Sequence, residues 1–187
     1  MSSRLAGNTS QRDSADHQLG DMDVQHKEKE MRYYIAYGSN LNKKQMKSRC
    51  PHARVAGTSE IKDYRLLFKG SQSGAYLTIE KEKGRSVPVG IWEVDESDER
   101  SLDRYEGFPT FYYKENMRLP VKDENGNIEE KDCFVYIMHE ERPLGLPSIY
   151  YIDTCGFGYQ DFGFNSNPLL EAYSYTVRNM RKSKNDR

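Results

Sequence analysis

Residues 31–41, MRYYIAYGSNL, change character within eleven positions. Met31–Ala36 is rich in aromatic and branched side chains, which predicts a β-strand. Gly38 breaks this pattern, Ser39 or Asn40 can cap the next element, and Lys43–Cys50 is then predicted as a short helix that ends at a proline. A strand that turns into a helix in this way can direct several backbone N–H groups at one anion, although an ordinary capped turn explains the same letters.

Outward from this segment, short strand patterns are more frequent than helical ones. Strands are predicted at Ala53–Ile61, Tyr64–Phe68, Ala75–Glu80, Val87–Val94, Tyr112–Val121 and Glu130–Met138. A polar loop over 70–74 and an Asn-Gly turn within Asp123–Asn127 separate some of them. Helices are predicted at Ser97–Tyr105, capped by Ser97, at Ser148–Phe157, capped by Ser148, and at Asn167–Met180. This order predicts an α+β fold, because strands and helices do not alternate regularly.

The chain of 187 residues divides into three parts by composition. Residues 1–30 contain few large apolar side chains and are predicted to be a disordered leader, or an extension that precedes a natural start at Met31. Residues 31–180 have the size of one domain, and residues 181–187 are a charged tail.

Composition argues against several functional classes. The net charge of −1 leaves no electrostatic footprint for nucleic acid or anionic lipid. No apolar run approaches the roughly 20 residues of a membrane span, and the N-terminus lacks the apolar core of a signal peptide, so a cytoplasmic protein is expected. Its three cysteines form no CxxC pair and its four histidines are not spaced as a metal cage, which predicts reduced structural thiols and no metal site. Cys50 and His52 are too close in sequence to favour a nucleophile–base pair.

Two further segments could carry chemistry. Glu106 is predicted at a helix end among aromatic residues, and an apolar surround would raise the pKa of its carboxyl group toward the range of a general acid/base. The alternative is a solvated surface glutamate, since the neighbouring acids Asp95, Glu96, Asp98, Glu99 and Asp103 look like an exposed face. The second segment, 150–164, is dense in aromatic residues, which either pack the core or offer tyrosine hydroxyls to a cleft.

Taken together, these segments resemble the γ-glutamylcyclotransferase family, also called AIG2-like. The resemblance runs from Met31 to Ala172 and rests on Tyr37-Gly38-Ser39-Asn40-Leu41, on Tyr105-Glu106-Gly107, and on Tyr151 with the Gly158 to Phe164 segment. It implies a mixed, partly closed β-barrel flanked by helices, with the substrate cavity at the barrel mouth. It also implies Glu106 as the general acid/base. The implied substrate-binding residues are Tyr34, Ile35, Ala36, Tyr37, Gly38, Ser39, Asn40, Leu41, Tyr113 and Tyr151, with Tyr112 and Tyr113 not distinguished.

The reaction implied by the resemblance is cyclisation of a γ-glutamyl compound to 5-oxoproline with release of an amine. It needs no cofactor and no metal, and its partner is a small-molecule substrate. The released amine could be an α-amino acid, a lysine side chain or a biosynthetic amine, and Asn40 speaks against the branch that acts on glutathione. A binding protein without turnover, an acyltransferase or hydrolase on the same fold, and an interaction module with a solvated Glu106 are the alternatives. Monomer and homodimer are both compatible with the sequence.

Overall fold

The computed structural model describes residues 30–71 and 74–185. The five strands in this part of the chain close into a barrel, in the order β1-β3-β2-β4-β5. Their bounds are Arg32–Ala36 for β1, Arg54–Ser71 for β2, Gly74–Val94 for β3, Tyr112–Lys122 for β4 and Ile128–Met138 for β5. β1 pairs parallel with β5, and the remaining pairings are antiparallel. The predicted α+β fold with a mixed barrel is confirmed, and the barrel is closed.

Four α-helices and a short 3₁₀ turn in the described residues accompany the barrel. The turn spans Ser39–Leu41, and the helices are α1 (Lys43–Arg49), α2 (Glu96–Glu106), α3 (Ile149–Asp161) and α4 (Asn167–Asn185). α4 continues five residues beyond its predicted end at Met180. The predicted leader lies outside the described residues, apart from Glu30. None of the described helices is both long enough and apolar enough to cross a membrane.

β2 and β3 each replace two predicted short strands. The predicted break in β2 coincides with a shift in strand register between Lys62 and Tyr64, where Asp63 adopts a positive φ of 60°. A bulge of this kind bends a strand without ending it, so polar residues that resemble a loop in the sequence stay in the ladder. The loop predicted over 70–74 is shorter than expected, because Gly70 already pairs with Ala75 between β2 and β3.

The barrel closes where β2 meets β4, at the single register pair Thr58 and Lys122. Gly57 makes this close approach possible. A Cβ atom at residue 57 would lie 2.2 Å from the carbonyl oxygen of Lys122, and φ at this residue is +154°. A side chain there would therefore open the seam of the barrel.

Two helix caps differ from the sequence-based expectation. Asn42, rather than Ser39 or Asn40, caps α1, because its side chain accepts the N–H of Gln45 at 3.0 Å. Asp95, rather than Ser97, caps α2 and accepts the N–H groups of Ser97 and Asp98, each at 2.9 Å. The predicted cap Ser148 and the hairpin turn after β4 are confirmed.

The barrel interior and the contacts beneath the helices form one hydrophobic core. Its largest fully buried side chains belong to Tyr136, Tyr159, Phe68, Phe134, Ile35, Leu41, Met46, Leu77, Ile79, Ile91, Leu102 and Ile137. The three cysteines are free and also buried. Burial raises the pKa of the Cys50 and Cys155 thiols to about 12, so both thiols stay protonated near neutral pH.

Candidate active site

Glu106 is the last residue of α2, and its position is set by the next residue, a glycine. Gly107 adopts the left-handed conformation, with φ 64° and ψ 36°, and its N–H returns to the carbonyls of Arg104 and Asp103. Glycine adopts this conformation without a steric penalty, which makes it the usual residue just past a helix end. The chain therefore turns away immediately after Glu106, whose side chain lines a cavity.

A hydrogen bond from Asn40 joins Glu106 to the 3₁₀ turn. The side-chain amide of Asn40 donates to Glu106 Oε1 at 2.8 Å and to the hydroxyl oxygen of Tyr34 at 2.8 Å. The backbone carbonyl of Asn40 accepts the indole N–H of Trp92 at 3.1 Å. Asn40 is 3 % exposed, so its side chain is fixed by packing as well as by these bonds.

Arg49, at the end of α1, supplies a positive charge beside Glu106. Its guanidinium donates to the side-chain oxygen of Asn40, to Gln45 Oε1 at 2.6 Å and to the Tyr105 hydroxyl at 2.8 Å. The guanidinium also lies over the Tyr105 ring, 3.7 Å from its centre. Asn40 bonds to both the Arg49 guanidinium and the Glu106 carboxyl group. The positive charge of Arg49 therefore acts on Glu106 through space, and the two side chains form no ion pair within hydrogen-bond distance.

Burial raises the pKa of Glu106 from 4.5 to about 7. The nearby charge of Arg49 and the hydrogen bond from Asn40 act in the opposite direction, because both favour the ionised form. Desolvation dominates, so the carboxyl group is poised to exchange a proton near neutral pH. A pKa near the working pH is what a general acid/base requires.

Glu106 and the 3₁₀ turn line one cavity of about 280 Å³. Aromatic side chains supply much of its wall. The lining residues are Tyr34, Tyr37, Gly38, Ser39, Asn40, Tyr76, Leu77, Arg104, Tyr105, Glu106, Gly107, Phe111, Tyr112, Tyr136 and Tyr151. The predicted alternative of a solvated Glu106, far from the glycine turn, does not match this arrangement.

Several wall tyrosines are anchored by their hydroxyl groups. Tyr37 donates to the carbonyl of Tyr136 at 2.6 Å, and Tyr112 donates to the carbonyl of Leu77 at 2.8 Å. The N–H of Leu77 donates to the hydroxyl oxygen of Tyr151 at 3.1 Å. Burial raises the pKa values of Tyr37, Tyr112 and Tyr151 well above 10, so these phenols are neutral. They form a rigid wall and do not exchange protons at neutral pH.

Six of the ten predicted substrate-binding residues line this cavity, and four do not. The six are Tyr34, Tyr37, Gly38, Ser39, Asn40 and Tyr151. Ile35, Ala36 and Leu41 are buried in the hydrophobic core instead. Tyr113 also lies elsewhere, because its hydroxyl donates to Glu140 Oε1 at 2.9 Å.

Tyr112 takes the place expected for Tyr113. Neighbouring residues of a strand point to opposite faces, so an alignment error of one residue selects the wrong face of β4. Among the other wall residues, Tyr105 belongs to the sequence motif around Glu106. Tyr76, Phe111 and Tyr136 come from strands or loops that carry no distinguishing signal, and only the closed barrel brings them together.

The acids near the start of α2 also differ from the prediction of a solvated face. Asp95 and Asp98 are 2 % and 1 % exposed, whereas Glu96 is exposed. His52 Nδ1 lies 3.0 Å from Asp95 Oδ2. This cluster does not line the cavity of Glu106.

The segment that forms this site matches a known protein family. A family model described as gamma-glutamyl cyclotransferase, AIG2-like, covers residues 34–153. The chain belongs to this family. The match includes the 3₁₀ turn, Glu106 and Tyr151, and it confirms the resemblance inferred from the sequence motifs.

Individual members of the γ-glutamyl cyclotransferase family give the same result at modest identity. The chain is 29 % identical over 153 residues to a human protein named gamma-glutamylcyclotransferase, covering 77 % of this chain and 78 % of that protein. It is 30 % identical over 79 residues to a mouse protein named gamma-glutamylaminecyclotransferase, covering 41 % and 53 %. A solved structure named gamma-glutamyl cyclotransferase matches with a TM-score of 0.65 and 26 % identity, covering 79 % of this chain and 87 % of the other.

Proposed function

We propose that this protein is a γ-glutamyl cyclotransferase that converts a γ-glutamyl compound into 5-oxoproline and a free amine, with Glu106 as its general acid/base. One observation carries the proposal. The carboxyl group of Glu106, whose pKa burial raises to about 7, shares a cavity with the Gly38–Asn40 turn and is held there by Asn40. Family membership supports the same reaction.

The substrate brings its own nucleophile in this reaction. Its α-amine lies at five-ring distance from its γ-carbonyl carbon, so a cavity that folds the chain back supplies a high effective concentration. The nitrogen–carbon bond of the lactam forms as the amine attacks, and ionised Glu106 takes the proton that the amine loses. The bond from the γ-carbon to the leaving nitrogen then breaks, and Glu106 returns the proton to that nitrogen. The proton count balances without a metal, cofactor or external base.

The 3₁₀ turn offers partners for the negative charge that develops on the γ-carbonyl oxygen. The first N–H groups of a helical turn have no acceptor within the turn. The residue at the cap position, Gly38, has no side chain that could accept from them. Gly38 also keeps this face open, since a Cβ atom there would lie 3.2 Å from the Tyr151 hydroxyl oxygen. Backbone donors held in a partly dry site stabilise such an oxyanion more than water does.

The walls of the cavity favour ring closure of the substrate over its hydrolysis. Buried aromatic side chains reduce the room for water beside the reacting carbonyl, whereas the internal amine arrives with the substrate. The leaving amine stays open between an α-amino acid, a lysine side chain and a biosynthetic amine. The proposed partner is a small-molecule γ-glutamyl substrate. The proposed location is the cytoplasm, because free thiols such as the three buried cysteines are typical of a reducing compartment.

The test is release of 5-oxoproline from a panel of γ-glutamyl amino acids and γ-glutamyl amines, followed by mass spectrometry. Glu106→Gln should lower turnover by about 10²–10⁴, because the amide cannot exchange the proton. Glu96→Gln is the matched control, since it changes an exposed glutamate at the opposite end of the same helix. Both variants should keep the wild-type circular dichroism spectrum.

Each outcome of this assay discriminates among the candidate functions. No 5-oxoproline from any substrate, with saturable γ-glutamyl binding, would identify a binding protein without turnover. Glutamate in place of 5-oxoproline would identify a hydrolase. Near-wild-type turnover by Glu106→Gln would remove the acid/base role of this residue.

A further inference from the structure

A second cluster of polar side chains lies where the chain leaves α1 and enters α2. His52 follows α1, and Asp95 and Asp98 lie at the start of α2. His52 Nδ1 is 3.0 Å from Asp95 Oδ2 and 3.9 Å from Asp98 Oδ1. The three donor atoms all lie within 4.8 Å of one another. Tertiary structure brings these residues together from positions more than forty apart in the sequence.

The carboxyl group of Asp98 is the unusual member of this cluster. Its side chain is 1 % exposed, and neither of its oxygens has a hydrogen-bond partner that meets the usual distance and angle limits among the described residues, although the backbone N–H groups of His52 and Asp95 lie near it. A buried carboxylate without a partner is strongly disfavoured, so such groups are normally paired with a cation or bound to a metal ion. Within the described residues, the only cationic side chain within 4 Å of it is His52, which is charged only when protonated.

Asp95 has one oxygen in the helix cap and one directed at the cluster. Its Oδ1 accepts the N–H groups of Ser97 and Asp98 and the Ser97 hydroxyl. Its Oδ2 is the oxygen nearest His52 Nδ1. The helix cap and a ligand on the other oxygen are therefore compatible, and the cap fixes the direction of that oxygen.

We propose that His52 Nδ1, Asp95 Oδ2 and Asp98 Oδ1 bind one divalent cation, with zinc as the favoured ion. Zinc takes imidazole nitrogen and carboxylate oxygen at about 2.0–2.2 Å. Neighbouring ligands of a tetrahedral ion at that distance lie roughly 3.3–3.6 Å apart. The separations of His52 Nδ1 from the two carboxylate oxygens, 3.0 and 3.9 Å, lie on either side of that spacing. Two carboxylates neutralise the charge of the ion, and the exposed side of His52 gives access to it and to a water ligand.

Magnesium and calcium fit the cluster less well. Both prefer six or more oxygen ligands, and calcium binds them at longer distances. The imidazole ligand also favours zinc over these hard ions. Cys50 is close by but is not counted as a ligand, because its thiol lies 3.6 Å from the Asp98 backbone carbonyl and donates to it.

The ion would fasten the segment after α1 to the start of α2. These two helices carry Arg49 and Glu106, two of the charged groups of the proposed active site. Asp98 and Glu106 lie eight residues apart on α2, which is about 12 Å along the helix axis. The proposed cation therefore stabilises the fold near the site and takes no part in the chemistry.

The test is a zinc titration of the full chain after removal of metal with a chelator. Isothermal titration calorimetry gives the stoichiometry and Kd, and thermal unfolding gives the melting temperature. His17 and His26 are changed to alanine in every sample, so that only His52 and His139 remain as histidines. We expect one zinc ion per chain, and a melting temperature higher by about 5 °C or more at zinc a hundredfold above Kd.

Two ligand variants and one control decide the result. His52→Gln and Asp98→Asn should each weaken zinc binding at least tenfold and lose the thermal shift, since outer-shell changes alone cost about 10–100-fold. Glu96→Gln, an exposed acid between the two aspartates, should bind as the parent does. If Asp98→Asn does not fold, His52→Gln decides, because its side chain is 56 % exposed. Absence of saturable binding, or an unchanged Kd in His52→Gln, would overturn the proposal.

Discussion

Asn40 and Glu106, sixty-six residues apart in sequence, are joined by a hydrogen bond of 2.8 Å from the Asn40 amide to Glu106 Oε1. The oxygen of the same Asn40 side chain accepts from Arg49, which only donates hydrogen bonds. The orientation of the Asn40 amide is thereby fixed, and its NH₂ group must face Glu106. The hydrogen bond from Asn40 stabilises the ionised carboxyl group and lowers its pKa, whereas burial raises that pKa by a larger amount. The pKa of Glu106 is therefore about 7.

The pH dependence of the reaction should report this balance. In the proposed mechanism Glu106 accepts a proton in the first step, so the free enzyme must carry it ionised. We therefore expect kcat/KM to fall tenfold per pH unit below a pKa of about 7 and to level off above it. An ordinary glutamate would place this limb near pH 4.5.

The measurement is initial 5-oxoproline release between pH 5 and 9, about two units on either side of the expected pKa. The thermal stability of the protein should be followed over the same range, so that unfolding is not mistaken for titration. A profile that stays level across most of this range and falls only toward pH 5 would show that the carboxyl group is better solvated than its burial implies.

Arg49→Met should move the acid limb to higher pH. Removing the guanidinium takes away a charge that lowers the pKa of Glu106, and it also releases the side-chain oxygen of Asn40. More Glu106 is then protonated at pH 7, so activity there should fall several-fold and recover at higher pH. Recovery at high pH separates this electrostatic effect from simple loss of the fold.

Lys47→Met is the matched control for that charge change. Lys47 lies on the same helix, is exposed, and does not line the cavity. Its substitution removes the same net charge and should leave the pH profile unchanged. Equal shifts in both variants would show that the long-range field of the protein, and not the local contact of Arg49, sets the pKa of Glu106.

Tyr112→Phe should be clearly more harmful than Tyr113→Phe. The first removes a buried hydroxyl and leaves the carbonyl of Leu77 without its 2.8 Å donor, at a cost of about 1–3 kcal/mol. It also loosens the cavity wall, so KM should rise. The second removes only a bond to Glu140 at the surface and should change stability by less than about 0.5 kcal/mol.

Urea denaturation and kcat/KM for the same preparations check this pair. Phenylalanine keeps the ring in both positions, so packing is preserved and only the hydroxyl is tested. A larger loss of kcat/KM in Tyr113→Phe than in Tyr112→Phe would place the substrate on the other face of β4.

These residues also show how far the sequence leads. The 3₁₀ turn and Glu106 are predictable because each belongs to a short motif whose local geometry depends on a glycine, Gly38 or Gly107. Which of Tyr112 and Tyr113 faces the cavity cannot be predicted from the sequence, because the register of β4 depends on its pairing with β5. Arg49 carries no motif at all, and its role arises only when α1 packs beside α2.

Burial of charge is the second property that the sequence does not reveal. The run of acids around α2 has the composition of a solvated face, yet Asp95 and Asp98 are buried while Glu96 is exposed. Composition fixes the number of charges, whereas the packing of α2 decides which of them lose water. The length of β2 escapes prediction for a related reason, because the bulge at Asp63 needs a partner strand to exist.

Gly158→Ala and Gly156→Ala provide a paired test of how α3 holds the 3₁₀ turn. A Cβ atom at Gly158 would lie 2.6 Å from Leu41 Cβ and 2.7 Å from the backbone nitrogen of Asn42, whereas a Cβ atom at Gly156 meets nothing within 4 Å. Gly158→Ala should therefore destabilise the protein by about 1–3 kcal/mol through overpacking. It should also lower turnover, since the backbone that must move adjoins Asn40.

Gly156→Ala should instead stabilise the protein by about 0.5–1 kcal/mol, because alanine is the better helix former and the site has room for it. Urea unfolding of both variants, with 5-oxoproline release assayed in parallel, separates packing from helix propensity. If both substitutions stabilised the protein and left turnover intact, α3 would not be what positions the turn. Asn40 would then be held by its hydrogen bonds to Tyr34, Trp92, Glu106 and Arg49, and substitutions of these partners should become the sensitive ones.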